Sequence, residues 1–244
     1  MDLGLSGRRA LVTGSSSGLG EAIARTLAAE GAAVVVHGRD ERRTAAVAGA
    51  IGAAGYAVGD LTSDAGAERV AGAAGRVDIL VNNAGRYESR TWSEAEPEQW
   101  VEAYETNVVS AVRLIRRLVP PMRERGWGRV VQIGGGLASQ PTAAAPQYNA
   151  TLAARHNLAV SLARELKGSG VTSNVVSPGA VLVDWMRPYV DTPEIQAIVH
   201  GNDVGRLGRP EEIAAAVAYL CGPAADYISG ATLRVDGGTI ISAF

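Results

Sequence analysis

The sequence predicts a three-layer α/β fold: a single domain built on one doubly wound, parallel sheet of about seven strands, with helices on both faces. Three observations predict it. Short β-rich runs alternate with longer helical patterns along the whole chain. The apolar runs lack a two-residue alternation, as strands covered on both faces do. The intervening helices supply the crossovers that parallel strands require.

The run "RALVT" opens the series and leads into an alanine-rich helix from about Gly18. On that helix Leu19, Ile23 and Leu27 recur every four residues and form a stripe to lay on the sheet. Next come "AVVVH", a helix, "YAVGD", a helix, and "DILVNN". The second half continues with "RVVQIG", the helix carrying Tyr148, "VTSNVVS", the helix after Pro210, and "TLRVD". No linker or internal repeat divides residues 1–244, which therefore read as one domain. Residues 180–205, with Trp185, Met186, Pro188, Tyr189 and Pro193 but weak periodicity, read as a mobile lid.

With 23 basic and 25 acidic residues and a formal net charge of −2, the chain offers no electrostatic case for nucleic acid or an acidic membrane surface. Arg113, Arg116 and Arg117 fit a solvated helix face. The single cysteine, Cys221, excludes an internal disulfide, and without a Cys/His cluster no metal site is expected. "MDLGLSGRR" holds no apolar signal segment, and no window approaches the roughly 18 apolar residues of a membrane span. A soluble, cytoplasmic protein is the expectation.

After the first strand comes "TGSSSGLG", Thr13 to Gly20. Glycines at 14, 18 and 20 allow a tight turn, a close backbone approach to a pyrophosphate and tight packing of the next helix, whose N-terminal amides favour negative charge. Gly14, Ser16, Ser17, Gly18, Leu19 and Gly20 are therefore candidates to hold a dinucleotide, although the spacing differs from G-x-G-x-x-G. Further pieces follow in order: "GDLT" with Asp60, "NNAG" at Asn82 to Gly85, Asn107, Tyr148, "SPG" at Ser177 to Gly179, "GRLGRPEEIA" and "DGG". In this ordered series, over nearly its whole length, the chain resembles the short-chain dehydrogenase/reductase family, whose fold is of the Rossmann type.

The resemblance implies that Asp60 and Leu61 contact an adenine, that Asn83, Ala84 and Gly85 line the nucleotide cleft, and that Pro178 and Gly179 belong to the same site. The end of the second strand, "VVVHGRD", bears on the choice of nicotinamide cofactor. Gly38 stands where NAD-preferring members carry Asp, and Arg39 follows it. A guanidinium suits a 2′-phosphate through charge-assisted hydrogen bonds, so NADP(H) is favoured over NAD(H).

In the family a tyrosine exchanges a proton with the substrate oxygen, a serine bonds that oxygen, a lysine supports tyrosine and ribose, and an asparagine supports a water relay. Tyr148 and Asn107 match and are the candidate catalytic residues. Gly135 occupies the serine's place, thirteen residues before Tyr148, and Leu152 the lysine's, four residues after it. Val183 fills the place of a threonine that contacts the carboxamide in many relatives. The reacting end of the cleft therefore reads as apolar. A free phenol titrates at about 10, and burial without a cation raises it. Tyr148 is expected to be neutral at pH 7, a proton donor for ketone reduction and a poor base for alcohol oxidation.

Asn149 and Thr151 are expected to point away from the face of Tyr148 and Leu152. Arg155 returns to that face about 10 Å along the axis, and a surface or intersubunit contact is expected of it. Gln132, Ser139, Gln140 and Gln147 are all near enough in sequence to reach a substrate oxygen, whereas His37, His156 and His200 read as structural or surface residues. The leading function is NADP(H)-dependent carbonyl reduction of a small or medium apolar substrate by an incomplete catalytic set. A non-redox lyase or isomerase using Tyr148, and a nucleotide-binding protein without chemistry, stand as alternatives. The resemblance also implies a homo-oligomer, tetramer or dimer, formed through the Tyr-bearing helix and the C-terminal strand.

Overall fold

Seven short apolar segments lie side by side and parallel in the computed structural model, which describes residues 2–241. They are β1 (Arg9–Val12), β2 (Ala33–Gly38), β3 (Gly55–Val58), β4 (Ile79–Asn82), β5 (Gly128–Ile133), β6 (Val171–Pro178) and β7 (Thr232–Val235). Their order is β3-β2-β1-β4-β5-β6-β7. Strands β5 and β6 are buried at every position, which is why their sequences show no alternation.

The helices are α1 (Gly18–Ala29), α2 (Glu41–Ala50), α3 (Asp64–Ala74), α4 (Pro97–Tyr104), α5 (Ser110–Glu124), α6 (Pro146–Glu165), α7 (Pro193–His200) and α8 (Pro210–Cys221). On one face Ile23 and Leu27 of α1 and Val217 and Leu220 of α8 pack against Val12, Val36, Val81, Ile133 and Val176. On the other, Val70 of α3 and Leu114 and Met122 of α5 cover Leu11, Val35, Leu80 and Val130, and Leu162 of α6 packs against them. Of the three arginines read as a solvated face, only Arg116 is exposed; Arg113 and Arg117 of α5 are partly buried and meet Glu105, Asp64 and Glu68.

Strand order reverses beside β1: the chain builds β2 and β3 to one side, then returns to place β4 on the other. This leaves a crevice above the carboxyl ends of β1 and β4, the position where open α/β sheets bind ligands. One turn of π-helix, Glu105–Val109, joins α4 to α5 and contains Asn107. After β6, a bridge between Val181 and Gly208 closes off an excursion made of a 3₁₀ turn, Asp184–Tyr189, and α7. Met186 is buried and Tyr189 exposed there; the Trp185 side chain lies outside the described residues. Among the described residues no helix is long and apolar enough to cross a membrane, and no group of three His, Cys, Asp or Glu side chains is placed to hold a metal ion.

Candidate active site

The loop after β1 and the turn after β4 touch over the crevice. The Thr13 hydroxyl accepts from the backbone N–H groups of Asn83 and Ala84, each at 2.9 Å, and Asn83 Nδ2 donates to the Thr13 and Gly14 carbonyls. A Cβ on Gly14, at φ +63°, would lie 3.0 Å from Ala84 Cα, so the two loops meet at a distance that glycine permits. His37 braces the loop from β2: the Gly14 N–H donates to Nδ1 at 3.0 Å, while Nε2 lies 3.1 Å from the Gly59 carbonyl. That network assigns the proton to Nε2, and burial lowers the ring's pKa, which favours the neutral form.

At the end of β2, Gly38 is packed so closely that a Cβ would stand 2.7 Å from Ser16 Oγ and also meet Thr44 Oγ1. A side chain there would force Ser16 and Thr44 to shift. Arg39 is exposed and, among the described residues, pairs with no carboxylate; Asp40 instead caps α2 by accepting from the Arg43 N–H at 2.8 Å. Ser17 is the extended residue that opens α1, beside Gly18 and Leu19, and a Cβ on Gly20 would press on Asn83 Nδ2. Asp60 is exposed and held low by hydrogen bonds from Thr62, whereas the Leu61 side chain is in the core and its carbonyl accepts from Arg113 Nη1 at 3.3 Å. Gly179, following Pro178, is pressed against Asp236, and Val183 Cγ1 stands 3.9 Å from the Cβ position of Gly18.

At the other end of the crevice Tyr148 occupies the first turn of α6, partly buried and edge-on to Tyr87, with ring centroids 5.1 Å apart. Gly135 is extended, and a Cβ on it would meet Leu152 Cδ1 at 2.9 Å. The leucine thus stands where a side chain at 135 would project, so the two positions share one volume. Asn107 is buried in the π-turn; its Oδ1 accepts from the Arg86 N–H at 2.7 Å, and its Nδ2 donates to the Arg86 carbonyl and to Thr151 Oγ1, both at 3.1 Å.

Two expectations fail. Thr151 does not point away: it is buried, receives the Asn107 amide and donates to the Tyr148 carbonyl at 2.7 Å. Residues three apart share a helix face, which the contrast with Leu152 obscured. Arg155 is not at the surface: its side chain is buried, with Nε donating to the Asn107 carbonyl at 2.5 Å, Nη1 to the carbonyls of Ile133 at 2.7 Å and Asn82 at 3.4 Å, and Nη2 to that of Ala84. Asn149 does turn away, donating to the carbonyls of Thr142 and Ala144. Of the four candidate polar side chains, Gln147 lies beside Tyr148, in a recess shared with Arg86, Glu88, Glu102, Ala103 and Thr106. Gln132 is buried in β5, and Gln140 accepts from the Ile241 N–H. The cleft is apolar at Gly135 and Leu152 but charged beside Tyr148, where Arg86 pairs with Glu88 and Glu102.

The family described as enoyl-(acyl carrier protein) reductase matches residues 14–239. The 3-oxoacyl-[acyl-carrier-protein] reductase FabG of Escherichia coli strain K12 is 36% identical over 241 residues, which cover 97% of this chain and 98% of that protein. The chain belongs to the short-chain dehydrogenase/reductase family. Two solved structures of this oxidoreductase family share its fold. A 3-oxoacyl (acyl-carrier-protein) reductase from Agrobacterium tumefaciens C58 with NADP bound superposes with a TM-score of 0.91 at 38% identity, covering 97% of this chain and 96% of that one. The L-sorbose reductase of Gluconobacter frateurii, complexed with NADPH and L-sorbose, gives 0.92 at 34% identity, covering 99% and 100%.

In this short-chain dehydrogenase/reductase the phenol of Tyr148 is pushed up by burial, against which the Arg155 charge works; Tyr87 adds to the rise. Burial brings Arg155 down to about 10, so its guanidinium keeps its charge at neutral pH. At neutral pH the Tyr148 phenol therefore keeps its proton, and Arg155 is a buried cation.

Proposed function

We propose that this chain is an NADPH-dependent carbonyl reductase acting on a small or medium substrate, with Tyr148 as proton donor and Asn107 as its support. One juxtaposition carries this reading. The turn Asn83–Gly85 is bonded to the glycine loop through Thr13, and the adjoining Arg86 is bonded through Asn107 and Thr151 to the helix turn of Tyr148. The dinucleotide cradle and the acid are thus parts of one hydrogen-bonded frame.

Gly14, Ser17, Gly18, Leu19 and Gly20 would hold the pyrophosphate; Asp60 and the Leu61 backbone the adenine; and Asn83, Ala84, Gly85, Pro178 and Gly179 the remaining walls. Ser16 and Arg39 would take the 2′-phosphate, since a side chain at 38 would press on Ser16 and Thr44 and, among the described residues, Arg39 forms no ion pair. When bound, NADPH would supply a hydride. Tyr148 keeps its proton at neutral pH and can release it to a developing alkoxide, while Gly135 and Leu152 offer an apolar wall to the substrate. Residues 180–205 would serve as the lid, consistent with Val183 reaching the glycine loop. A dimer or tetramer through α6 and β7 completes the proposal.

A panel of ketones and aldehydes assayed for NADPH consumption tests it. Replacement of Tyr148 by phenylalanine should lower the rate by about 10²- to 10⁴-fold, the usual worth of a general acid. Fast alcohol oxidation at pH 7, or an undiminished phenylalanine variant, contradicts the role given to Tyr148. Conversion of a substrate without cofactor consumption, across a panel on which NADPH is never consumed, would favour a lyase or isomerase instead.

A further inference from the structure

Gln147 is 2% exposed, yet one half of its amide has nothing to bind. Its Nε2 donates to the Glu88 carbonyl at 3.1 Å, which fixes the nitrogen end of the amide, while Oε1 meets no donor among the described residues. A buried acceptor without a donor is destabilising, and such a group is expected to take water or a ligand. Gln147 is not sealed in the core: it lines the recess beside Tyr148, together with Arg86, Glu88, Glu102 and Thr106. That recess has room for about one group the size of a water molecule. A hydroxyl fits there and an acyl chain does not. Charge narrows the choice further. Arg86, the only cation among the described residues of that lining, has Nη1 on Glu102 at 3.0 Å and Nη2 on Glu88 at 2.5 Å, and Arg90 Nε stands 3.4 Å from the other Glu88 oxygen. With its cation committed to two carboxylates, the recess favours a neutral donor over an anion.

We propose that Gln147 sets the substrate class: its Oε1 accepts from a hydroxyl close to the carbonyl that Tyr148 protonates, so the protein reduces neutral hydroxy ketones in preference to plain ketones and keto acids. This rests on the reading of Tyr148 as the acid. The two residues are neighbours in the first turn of α6 and line one recess, so a substrate held at Tyr148 has an adjoining substituent within the compass of Gln147. A site built to bond a hydroxyl rejects an analogue that lacks it far more strongly than an apolar pocket rejects a methylene, because the acceptor is then left unpaired. The reduction itself is unchanged, and the substrate hydroxyl is neither made nor broken.

The test compares hydroxyacetone, fluoroacetone, butanone and pyruvate, ketones of similar size, each assayed with NADPH. Fluoroacetone carries an electron-withdrawing group in place of the hydroxyl but no hydrogen to donate, so it controls for intrinsic reactivity. In the native protein kcat/KM for hydroxyacetone should exceed those for fluoroacetone and butanone by about 10- to 100-fold, the worth of an acceptor left unpaired, and pyruvate should be the poorest of the four. Gln147→Leu should bring hydroxyacetone down to the level of butanone, chiefly through KM. A mere structural tie between Glu88 and α6 would instead slow all four ketones alike, and an equal loss across the panel overturns the proposal. Should the variant fail to fold, the native panel decides: fluoroacetone or pyruvate turned over as well as hydroxyacetone overturns it too. If no carbonyl drives NADPH consumption, the reductase reading falls and binding alone decides the role of Gln147. With NADP⁺ present, its side-chain amide resonances should then move on titration with hydroxyacetone and stay still with butanone. Movement with hydroxyacetone alone leaves the hydroxyl-reading role intact, whereas movement with both or with neither overturns it.

Discussion

Gly135→Ser should be tolerated poorly in the native protein and well when Leu152 is shortened, because the two positions share one volume. A Cβ at 135 would lie 2.9 Å from Leu152 Cδ1, whereas ordinary contact begins at 3.4 Å, so the methyl must retreat about 0.5 Å. Gly135 is extended at φ 179°, which any residue adopts, so backbone strain adds nothing. Overpacking costs about 1–3 kcal/mol, and the low end applies where a terminal methyl yields. Leu152 is 4% exposed, so Leu152→Ala alone should cost about 2–5 kcal/mol for the cavity it opens. In the double variant the clash is gone and the serine occupies part of the cavity. Its cost should fall below the sum of the single costs by about 1–2 kcal/mol, or very roughly 2–8 °C in melting temperature for a domain of this size. Urea unfolding of the four proteins, followed by circular dichroism, measures this directly. Additivity within about 0.5 kcal/mol would refute the shared volume. The same cycle with Leu152→Lys can be read in activity: the pair should raise NADPH-dependent ketone reduction by more than the product of the single effects.

Arg39→Ala should weaken NADPH binding by roughly 10- to 100-fold, the worth of a charge-assisted bond, and leave NADH nearly unchanged; equal losses by calorimetry would overturn the 2′-phosphate assignment. Gly38→Asp should impair both cofactors, because its Cβ meets Ser16, and adding Ser16→Gly should recover NADH; an unimpaired single variant would count against the packing argument. The folded-state pKa of His37 is lowered by burial, so its contribution to stability is complete above the unfolded value of about 6.5 and is lost as pH falls through the folded value. His37→Asn, with an acceptor that does not titrate, should flatten the acid limb of a melting-temperature profile in part, since His156 is lowered by burial too. An unchanged limb would show that the brace on Gly14 is not what fails in acid.

The sheet was legible because its signal is local. Strands buried on both faces are largely apolar without alternation, as Val130, Val131 and Ile133 in β5 are, and the glycine-rich run after β1 is itself a local signal, although the contacts that demand Gly14 and Gly20 come from Asn83 and Ala84 across the crevice. The reacting end was legible only in part because its meaning lies between elements. Gly135 at the end of β5 and Leu152 on α6 look like two losses in a linear motif, yet their contact makes them one substitution of volume. The π-turn that aims Asn107 at Arg86 and Thr151 has no residue signature, since it is one extra residue's worth of backbone within an otherwise ordinary helix. The charged recess likewise draws Arg86 from a loop and Glu102 from α4, which no local periodicity brings together.

Arg155 shows most clearly how the error in reading the site arose and how it is corrected. Seven residues of helix separate its Cα from that of Tyr148 by about 10 Å, and this axial distance argued for a contact elsewhere. But side chains on a helix lean toward its N-terminus, so a long residue covers the turn before its own Cα. Arginine is long enough to run back from its own Cα and bring its guanidinium to the carbonyls of Asn82, Ala84, Asn107 and Ile133. The carbonyls it finds there are fixed by the sheet: Asn82 and Ile133 end adjacent parallel strands, and their oxygens need donors where the ladder stops. A planar group with five N–H donors can serve carbonyls that diverge from one point, which an ammonium on a shorter approach from position 152 could not do. Arg155 is therefore a tie across the floor of the crevice, joining the ends of β4 and β5 to the π-turn. It keeps a positive charge within the influence of the phenol.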